Sequence, residues 1–469
     1  MGLKLNIATL SVLLFFLTST ANAKPAVFNI VKKYGGKANE DITLPLTNAW
    51  NDACATPGQS TVVVPAGTYR LGPVQLNGPC KGPIELKVRG ILEAPGDLSF
   101  FKWGSWVSFE RVDQLTLSGN GTFDGQGKSV WGKYSGALPI NIRFDFITNS
   151  MIRGITSLDS KQFHLHIFAC KNVTLFHLNI RAPGDSPNTD GIHMGRSTGI
   201  NIIDSKIGTG DDCISLGDGN RDILIQKVAC GPGHGISIGS LGKYENEEPV
   251  IGVKVLDCNL RNTMNGVRIK TWPASFPGIV SNMHFENIYM KNVSNPVIID
   301  QVYCPWNQCK AQIPSKIKIS GVSFKNIRGT SQTKEAVKLL CSNEIPCENV
   351  EISDIDLAYQ GSDGPATSQC TNANPTISGS MRGMGCDRLD RVVANTSWRA
   401  NCTEYSVETL LALCSDHGPF LLVCLQEKIS SRRNKAHSNY EANWIKEEGC
   451  NDLVAAEWQI GVVRENWME

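Results

Sequence analysis

Short apolar runs separated by turn residues dominate the chain between about residue 110 and residue 360. The runs are rich in Val, Ile and Leu, and Gly, Asn or Asp stands between them. Representative runs cover residues 115–117, 173–175, 200–203, 223–225, 253–255, 317–319 and 350–352. Alternating short segments bounded by turn residues are typical of β-strands. The pattern therefore predicts an all-β fold with many short strands.

A second series of strand-like segments interleaves with the first and repeats at a fixed distance. Its members start at Gly191, Cys213, Gly235, Gly266 and Pro296, so the first intervals are 22 residues and the next two are 31 and 30. A short period without intervening helix patterns is typical of a parallel β-helix, in which longer loops lengthen some coils. A β-propeller needs more regular four-stranded blades, and a β-sandwich would not give this recurrence. The periodicity favours a parallel β-helix.

One helical pattern precedes the coils. Ile42, Leu46, Trp50 and Ala53 recur at the spacing of one helix face. We expect this short amphipathic helix to cover the open end of the β-helix, where unpaired strand edges and the apolar core would otherwise meet water.

The amino-terminal residues predict export from the cell. Lys4 precedes an apolar run over residues 7–17, and Ala21 and Ala23 offer the small side chains of a signal-peptidase site. The run is too short to span a hydrocarbon core of ~30 Å, and no later run is longer and as apolar. We therefore expect a signal peptide over residues 1–23 and a secreted, extracellular protein that is not membrane-bound after cleavage.

Charge and cysteine content limit the possible partners and the kind of cross-link in this protein. The chain has 45 basic and 44 acidic residues, a net charge of +1, so no global field indicates nucleic acid as a partner. The 16 cysteines show no paired C-x-x-C spacing, so disulfides are favoured over a structural zinc site. Cys213 with Cys230, and Cys341 with Cys347, are plausible local pairs. Sequons that would accept glycans outside the cell begin at Asn120, Asn172 and Asn292.

The candidate catalytic residues are concentrated where the 22-residue repeat is most regular. Asp190, Asp212 and His234 are each 22 residues apart, so uniform coils would stack them in one column at ~4.8 Å per rung. Asp211 lies beside Asp212. An isolated aspartate in such a turn is more often a turn former or a calcium ligand. Three aspartates and a histidine in register favour a functional site instead.

Two cationic residues are predicted to lie near this cluster of aspartates and histidine. Arg268 and Lys270 are two residues apart, so both side chains leave the same face of a strand. Glycoside hydrolysis needs one protonated and one ionised carboxyl group, and clustered carboxylates have separated pKa values. Arginine and lysine bind carboxylates, so the cluster predicts hydrolysis of an anionic sugar. Tyr303 is equally compatible with the core and with a sugar site.

Four segments resemble, in order and spacing, the signature motifs of the polygalacturonases, glycoside hydrolase family 28. They cover residues 186–191, 210–213, 233–235 and 268–270, and Tyr303 resembles the tyrosine with which that family contacts its substrate. The resemblance covers residues 26–386. It implies a right-handed single-stranded parallel β-helix, with the capping helix predicted above, and hydrolysis of polygalacturonate in pectin with inversion.

The resemblance also implies roles for individual residues. Asp211 matches the general acid, Asp190 and Asp212 match the pair that activates water, and His234 matches the residue that tunes the acid. The residues that match substrate binders are Asn188, Arg268, Lys270 and Tyr303. No cofactor and no metal are implied, and we expect a monomer in the cell wall.

Phrases at residues 123–127, 156–161 and 239–244 are most similar to the pollen-type plant exopolygalacturonases, which implies exo-action and release of galacturonate. Endo-cleavage stays open, as does a non-catalytic wall protein that binds pectin. The Arg268 and Lys270 pair disfavours rhamnogalacturonan as substrate, and the Asp211–Asp212 doublet disfavours a calcium-dependent pectate lyase.

The character of the chain changes after Cys386, which resembles the partner of Cys370 in the last cysteine pair of the family. Residues 387–469 resemble a fragment of a plant non-LTR retrotransposon protein, with Asp416 and His417 at endonuclease-like positions. Residues 408–413 and 441–448 have helical patterns. We expect a fusion or gene-model artefact without activity of its own, which could mask the substrate groove beside Asp190, Asp211 and Asp212 or mispair cysteines.

Overall fold

The computed structural model describes residues 25–134, 136–305, 307–362, 364–381, 404–409 and 420–425. The chain divides into two units, residues 1–386 and 387–469. The predicted signal peptide, Cys386 and the second predicted helix of the tail lie outside the described residues. Among the described residues, none of the helices combines the length and the apolar character needed to cross a bilayer.

The described residues of the first unit form two α-helices and many strands. The helices are α1 (Ile30–Tyr34) and α2 (Thr43–Ala55), and two 3-10 turns cover Leu98–Phe100 and Gly127–Ser129. The strands of the amino-terminal half are β1 (Ala26–Asn29), β2 (Ser60–Val64), β3 (Thr68–Arg70), β4 (Val74–Asn77), β5 (Ile84–Val88), β6 (Ile91–Glu93), β7 (Ser105–Glu110), β8 (Leu115–Ser118), β9 (Thr122–Asp124), β10 (Ile140–Asp145), β11 (Thr148–Arg153), β12 (Thr156–Leu158), β13 (Leu165–Phe168), β14 (Lys171–Phe176) and β15 (Asn179–Arg181).

The remaining strands of this unit continue the same pattern. They are β16 (Ile192–Gly195), β17 (Thr198–Ile203), β18 (Lys206–Gly208), β19 (Ile214–Leu216), β20 (Arg221–Gln226), β21 (Ala229–Cys230), β22 (Ile236–Leu241), β23 (Val250–Leu256), β24 (Asn259–Arg261), β25 (Asn265–Thr271), β26 (Gly278–Val293), β27 (Asn295–Asp300), β28 (Ile317–Ser331), β29 (Glu335–Leu340), β30 (Glu348–Tyr359), β31 (Thr367–Thr371) and β32 (Thr376–Ser378).

Parallel pairing between successive coils builds two long sheets. Strands β4, β7, β10, β13, β16, β19, β22, β25, β27, β29 and β31 form an 11-stranded sheet, and the other strands of this unit form a 21-stranded sheet. Each strand pairs with its counterpart one coil away, as β16 does with β19 and β19 with β22. The predicted all-β parallel β-helix is therefore confirmed, and its parallel pairing excludes the propeller and the sandwich.

The observed register reproduces the repeat read from the chain. Ile192 pairs with Ile214 and Ile214 pairs with Ile236, which are the steps of 22 residues. Val267 and Val297 follow at the longer intervals. The extra residues of the first longer coil form the loop over residues 242–249, between β22 and β23.

Asparagine and aspartate side chains support the turns between strands. Asn172 donates from Nδ2 to Oδ1 of Asn149 at 2.8 Å, and Asn149 donates to Oδ1 of Asp113 at 2.8 Å. Asn149 and Asn172 have positive φ angles of 49° and 55°, which asparagine adopts more readily than most residues. Stacked turns of this kind keep consecutive coils in register.

The helix predicted at the amino-terminal end is α2. Leu46, Trp50 and Ala53 are buried on it, and Ile42 is buried immediately before it. Trp50 packs edge-on against Phe109 of β7, with ring centroids 5.6 Å apart. The helix therefore closes this end of the core, as predicted.

Disulfides join positions that the coils bring together. Cys213–Cys230 and Cys341–Cys347 are both present, as predicted, and Cys54–Cys80 and Cys304–Cys309 are two further bonds. The predicted partner of Cys370 lies outside the described residues.

The described part of the second unit is a pair of strands. β33 (Glu404–Thr409) pairs antiparallel with β34 (Phe420–Leu425). The helix predicted over residues 408–413 is wrong at residues 408 and 409, which belong to β33. The physical reason is that residues 404–409 alternate polar and β-favouring types, and the apolar run over 420–425 offers them a partner strand.

Candidate active site

Three neighbouring turns bring the predicted carboxylates to the edge of the 11-stranded sheet. Asp190 precedes β16, Asp211 and Asp212 precede β19, and His234 precedes β22. The backbone N–H of Gly191 donates to the carbonyl of Asp212 at 2.9 Å, and the register places Asp190, Asp212 and His234 at equivalent positions on consecutive coils. The predicted stacking of these backbone positions is confirmed.

Gly210 makes the close approach of these turns feasible. A Cβ atom at Gly210 would lie 1.9 Å from the carbonyl oxygen of Ser186, which no side chain tolerates. The absence of a side chain therefore lets the turn that carries Asp211 and Asp212 rest directly on the turn that precedes Asp190.

His234 contacts Asp211, whereas the simple column placed it above Asp212. Its Nδ1 lies 3.0 Å from Oδ1 of Asp211, and its backbone N–H donates to the Asp211 carbonyl at 2.8 Å. The two carboxylates leave a bend rather than a strand, so the local turn sets their directions. Asp211 bonds to the imidazole, and Asp212 bonds to Ser237 and Lys270.

Two serines that the sequence analysis did not single out hold the other carboxylates. Ser215 donates to Oδ2 of Asp190 at 2.6 Å, and Ser237 donates to Oδ1 of Asp212 at 2.8 Å. The serines lie on adjacent rungs of the 11-stranded sheet, and Nδ1 of His193 lies 2.7 Å from the Ser215 hydroxyl. Their 22-residue spacing was the signal that could have found them.

Lys270 is buried against the same cluster. Its Nζ donates to Oδ2 of Asp212 at 2.8 Å, and the two side chains are only 10% and 2% exposed. Lys270 and Arg268 both lie against the Tyr303 ring, at 5.2 and 4.7 Å from its centroid. The two predicted cations therefore converge on the predicted tyrosine.

Arg268 has one partner that the sequence did not predict and one open donor. Its Nη2 donates to Oδ2 of Asp300 at 2.7 Å. Its Nε is buried and has no hydrogen-bond partner among the described residues. A buried unpaired N–H is costly, so the position of this side chain is not explained by its own hydrogen bonds alone.

Asn188 is the predicted residue that the structure leaves apart from this network. It lies in the exposed turn before Asp190, with a left-handed backbone (φ 52°). No hydrogen bond within the described residues joins its side chain to the carboxylates.

Asp190 and Asp211 have opposite pKa shifts. Burial, followed by the charges of Asp211 and Asp212, raises the pKa of Asp190 well above its usual range. Burial alone would raise the pKa of Asp211 as well, but the hydrogen bond and charge of His234 outweigh it and hold that pKa below its usual range. The same hydrogen bond raises the pKa of His234. The two pKa values are therefore shifted apart, and Asp190 is the aspartate whose neutral form the surroundings favour.

Asp211, Asp212 and His234 are also arranged as potential metal ligands, because their donor atoms lie within 4.8 Å of one another. The contacts described above oppose this use. His234 and Asp211 already bond to each other. The Lys270 ammonium contacts Asp212 and would repel a metal cation. The arrangement fits acid–base chemistry on an anionic substrate better than metal binding.

Comparison with known proteins gives the family. Residues 54–381 match the model of glycosyl hydrolases family 28. The chain belongs to glycosyl hydrolase family 28. A polygalacturonase of Gossypium barbadense is 53% identical over 389 residues, which cover 81% of this chain and 95% of that protein. An exopolygalacturonase of Oenothera organensis is 53% identical over 347 residues, which cover 72% of this chain and 96% of that protein.

Solved structures of lower identity share the family 28 fold. An endo-xylogalacturonan hydrolase from Aspergillus tubingensis superposes with a TM-score of 0.63 at 24% identity, covering 77% of this chain and all (100%) of that one. An exopolygalacturonase from Thermotoga maritima gives 0.60 at 18% identity, covering 71% and 87%. These two structures support the fold alone, and the plant relatives share the higher sequence identity.

Proposed function

We propose that this family 28 enzyme hydrolyses α-1,4-galacturonosidic bonds of polygalacturonate with inversion, acting from a chain end and releasing galacturonate. The observation that carries the proposal is the cluster of Asp190, Asp211 and Asp212 beside two cations on Tyr303, the buried Lys270 and the half-buried Arg268. Hydrolysis needs the carboxyl groups, and a galacturonate carboxylate suits the cations. The relatives named polygalacturonase and exopolygalacturonase support the same substrate.

Asp211 is the proposed general acid. It is the most accessible of the three aspartates, with its side chain 25% exposed, so it can reach a glycosidic oxygen. Its link to His234 lets the two groups share one proton, and a coupled pair of this kind titrates as a unit. His234 therefore tunes the acid by returning the shared proton to Asp211, which gives it to the glycosidic oxygen as the bond to the leaving sugar breaks.

Asp190 and Asp212 are the proposed pair that activates water. Ser215 and Ser237 fix one oxygen of each carboxylate, which leaves the other for water or Lys270. When Asp212 is ionised it can accept a proton from water while Lys270 balances its charge. The neutral form favoured by Asp190 limits repulsion within the cluster, so in this proposal Asp190 orients the water and Asp212 accepts its proton.

Arg268, Lys270 and Tyr303 form the proposed subsite for the galacturonate carboxylate. The Arg268 guanidinium supplies hydrogen-bond donors to a bound carboxylate, and Lys270 supplies charge. Asp300 holds the guanidinium in place before substrate binds. We propose that Asn188, on the rim of the site, contributes a polar contact to the same sugar.

The remaining expectations belong to the same proposal. We propose residues 1–23 as a cleaved signal peptide, a monomeric enzyme over residues 24–386 that acts in the cell wall, and no role for residues 387–469. Endo-cleavage and non-catalytic pectin binding are the alternatives, and the following experiment separates all three.

The test is a time course of products from polygalacturonate, with the protein made full length and as residues 24–386. Monogalacturonate alone from the first time point supports exo-action, and a ladder of oligomers means endo-cleavage. Proton NMR of the first turnovers should show the β anomer. This matters because oxygens of Asp211 and Asp212 lie within 4.8 Å, nearer than the ~6.5–9.5 Å usual for inverting enzymes. An initial α anomer would overturn inversion, and binding without any product would overturn the enzyme proposal.

A further inference from the structure

A second groove lies on the 21-stranded sheet, apart from the carboxylate cluster. It has a volume of about 760 Å³ and is lined by residues of β15, β18, β21 and β24 and their flanking turns. None of the aspartates of the active site lines it. Along the chain, β18 ends at Gly208 and β21 ends at Cys230, and the turns that carry Asp211 and His234 follow these lining strands.

The strand register explains why this face is hollow. Arg181 is level with Gly208 on the next coil. A Cβ on Gly208 would lie 2.7 Å from the carbonyl oxygen of Gly231, and a Cβ on Gly231 would lie 1.8 Å from that of Arg261, so these residues stack in one row. Two arginines therefore flank two glycines over three coil steps, ~14 Å at the usual strand spacing. Ala229 lies beside this row, and its small side chain leaves the bottom of the groove open.

Three cations line this groove. Arg181, Lys206 and Arg261 are exposed, and none forms an ion pair or a side-chain hydrogen bond with a residue that the structure describes. Asp204 is the single carboxylate among the lining residues, and its Oδ2 is 3.0 Å from Nδ1 of His177. With a net charge of only +1 for the whole chain, this is a local concentration of positive charge.

We propose that this groove is a second, non-catalytic binding site for an acidic polysaccharide, namely a polygalacturonate chain that is held while another segment is cleaved. The identity of the polymer rests on the proposed function. Guanidinium groups at fixed spacing match carboxylates that repeat along a stiff chain. No aromatic side chain other than the exposed His177 lines the groove, so it lacks the stacking platform typical of single-stranded nucleic acid sites.

A neighbouring hollow extends the positive face but is less suited to a polymer. It is lined by Lys87, Arg89 and Arg153, and also by Asn120. Asn120 begins a sequon, so a glycan there would fill this hollow. The proposal is therefore confined to the groove around Arg181, Lys206 and Arg261.

The test compares a groove variant, R181Q/K206Q/R261Q, with a control, K32Q/K81Q/K316Q, that removes three exposed cations outside both hollows. Both are made in the full-length secreted protein. Affinity electrophoresis through gels with embedded polygalacturonate gives the dissociation constant, and hydrolysis of trigalacturonate gives kcat/KM. We expect the groove variant to bind the polymer about tenfold more weakly, as the loss of a few exposed charged contacts implies. The control should bind like the unchanged protein, and kcat/KM on the trimer should be the same for all three.

Each other outcome overturns a stated part. Equal polymer binding by the groove variant and the control, with trimer hydrolysis intact, refutes the groove and leaves the proposed function standing. Absence of trimer hydrolysis in every protein refutes the proposed function, while the gels still report on the groove. Equal loss of binding to heparin, polyglutamate and single-stranded DNA shows simple ion exchange and refutes a polysaccharide site.

Discussion

The buried ion pair between Lys270 and Asp212 makes a prediction about folding that does not depend on the reaction. The two side chains are 10% and 2% exposed, and their Nζ and Oδ2 atoms are 2.8 Å apart. Substituting Met for Lys270 keeps most of the volume but leaves the Asp212 charge buried without its partner. Breaking such a pair from one side costs about 3–5 kcal/mol of the free energy of unfolding.

An exposed pair elsewhere on the β-helix is the matched control. Lys318 and Glu348 are 2.9 Å apart, but their side chains are 46% and 53% exposed. Solvent screening reduces the contribution of such a pair to about 0–1 kcal/mol. Lys318→Met should therefore leave stability almost unchanged, although the broken contact has nearly the same length.

The assay is the urea midpoint of unfolding for the single variants and for a double-mutant cycle with Asp212→Asn. Asparagine keeps the acceptor for Ser237 and removes the charge, so Lys270→Met should cost much less in that background. A loss below about 1 kcal/mol for Lys270→Met alone, equal to that of Lys318→Met, would refute the reasoning from burial.

Further predictions concern the carboxylate cluster and its neighbours. Asp211→Asn should lower kcat by at least about 10²-fold, because general-acid catalysis is lost, while affinity for oligogalacturonate stays near normal; near-normal turnover would contradict the acid assignment. Arg268→Ala should raise KM for trigalacturonate by about tenfold or more with a smaller effect on kcat, and an unchanged KM would remove it from the subsite. The pKa of His234 is raised and that of Asp211 is lowered, because each charged group favours the other. The contribution of His234 to the free energy of unfolding is therefore fully present below pH 6.5. This stabilisation is lost as pH rises through the raised His234 value, and again as pH falls from 3.8 through the lowered Asp211 value. His234→Gln should therefore flatten the melting temperature against pH on the alkaline side, and an unchanged profile would contradict the pairing. Asp190→Asn should raise the melting temperature at pH 7 by a few degrees, roughly 1 kcal/mol, because burial and neighbouring charge disfavour the ionised carboxylate; a lower melting temperature would contradict this.

Periodicity made the fold of this chain unusually accessible from its sequence. Side-chain alternation marks the strands, and the 22-residue recurrence from Gly191 through Cys213 to Gly235 marks one coil. Because coils stack at a fixed rise, equal spacing along the chain becomes adjacency in space. The positions of Asp190, Asp212 and His234 on consecutive rungs followed from that rule.

Where periodicity stops, sequence patterns were less informative. The tail segment over residues 408–413 has a helical pattern, yet its first residues belong to β33. No repeat constrains that region, so local propensity alone was too weak to decide between helix and strand.

Side-chain partners were decided only by the tertiary structure. The sequence by itself determined which residues lie at equivalent positions on consecutive coils. It did not determine that His234 bonds Asp211, that Ser215 and Ser237 hold the other carboxylates, or that Asp300 anchors Arg268. These contacts depend on the direction in which each turn points its side chains, and that direction is set by close backbone packing. The same holds for the groove over Gly208, whose depth exists because stacked coils leave no room for side chains there.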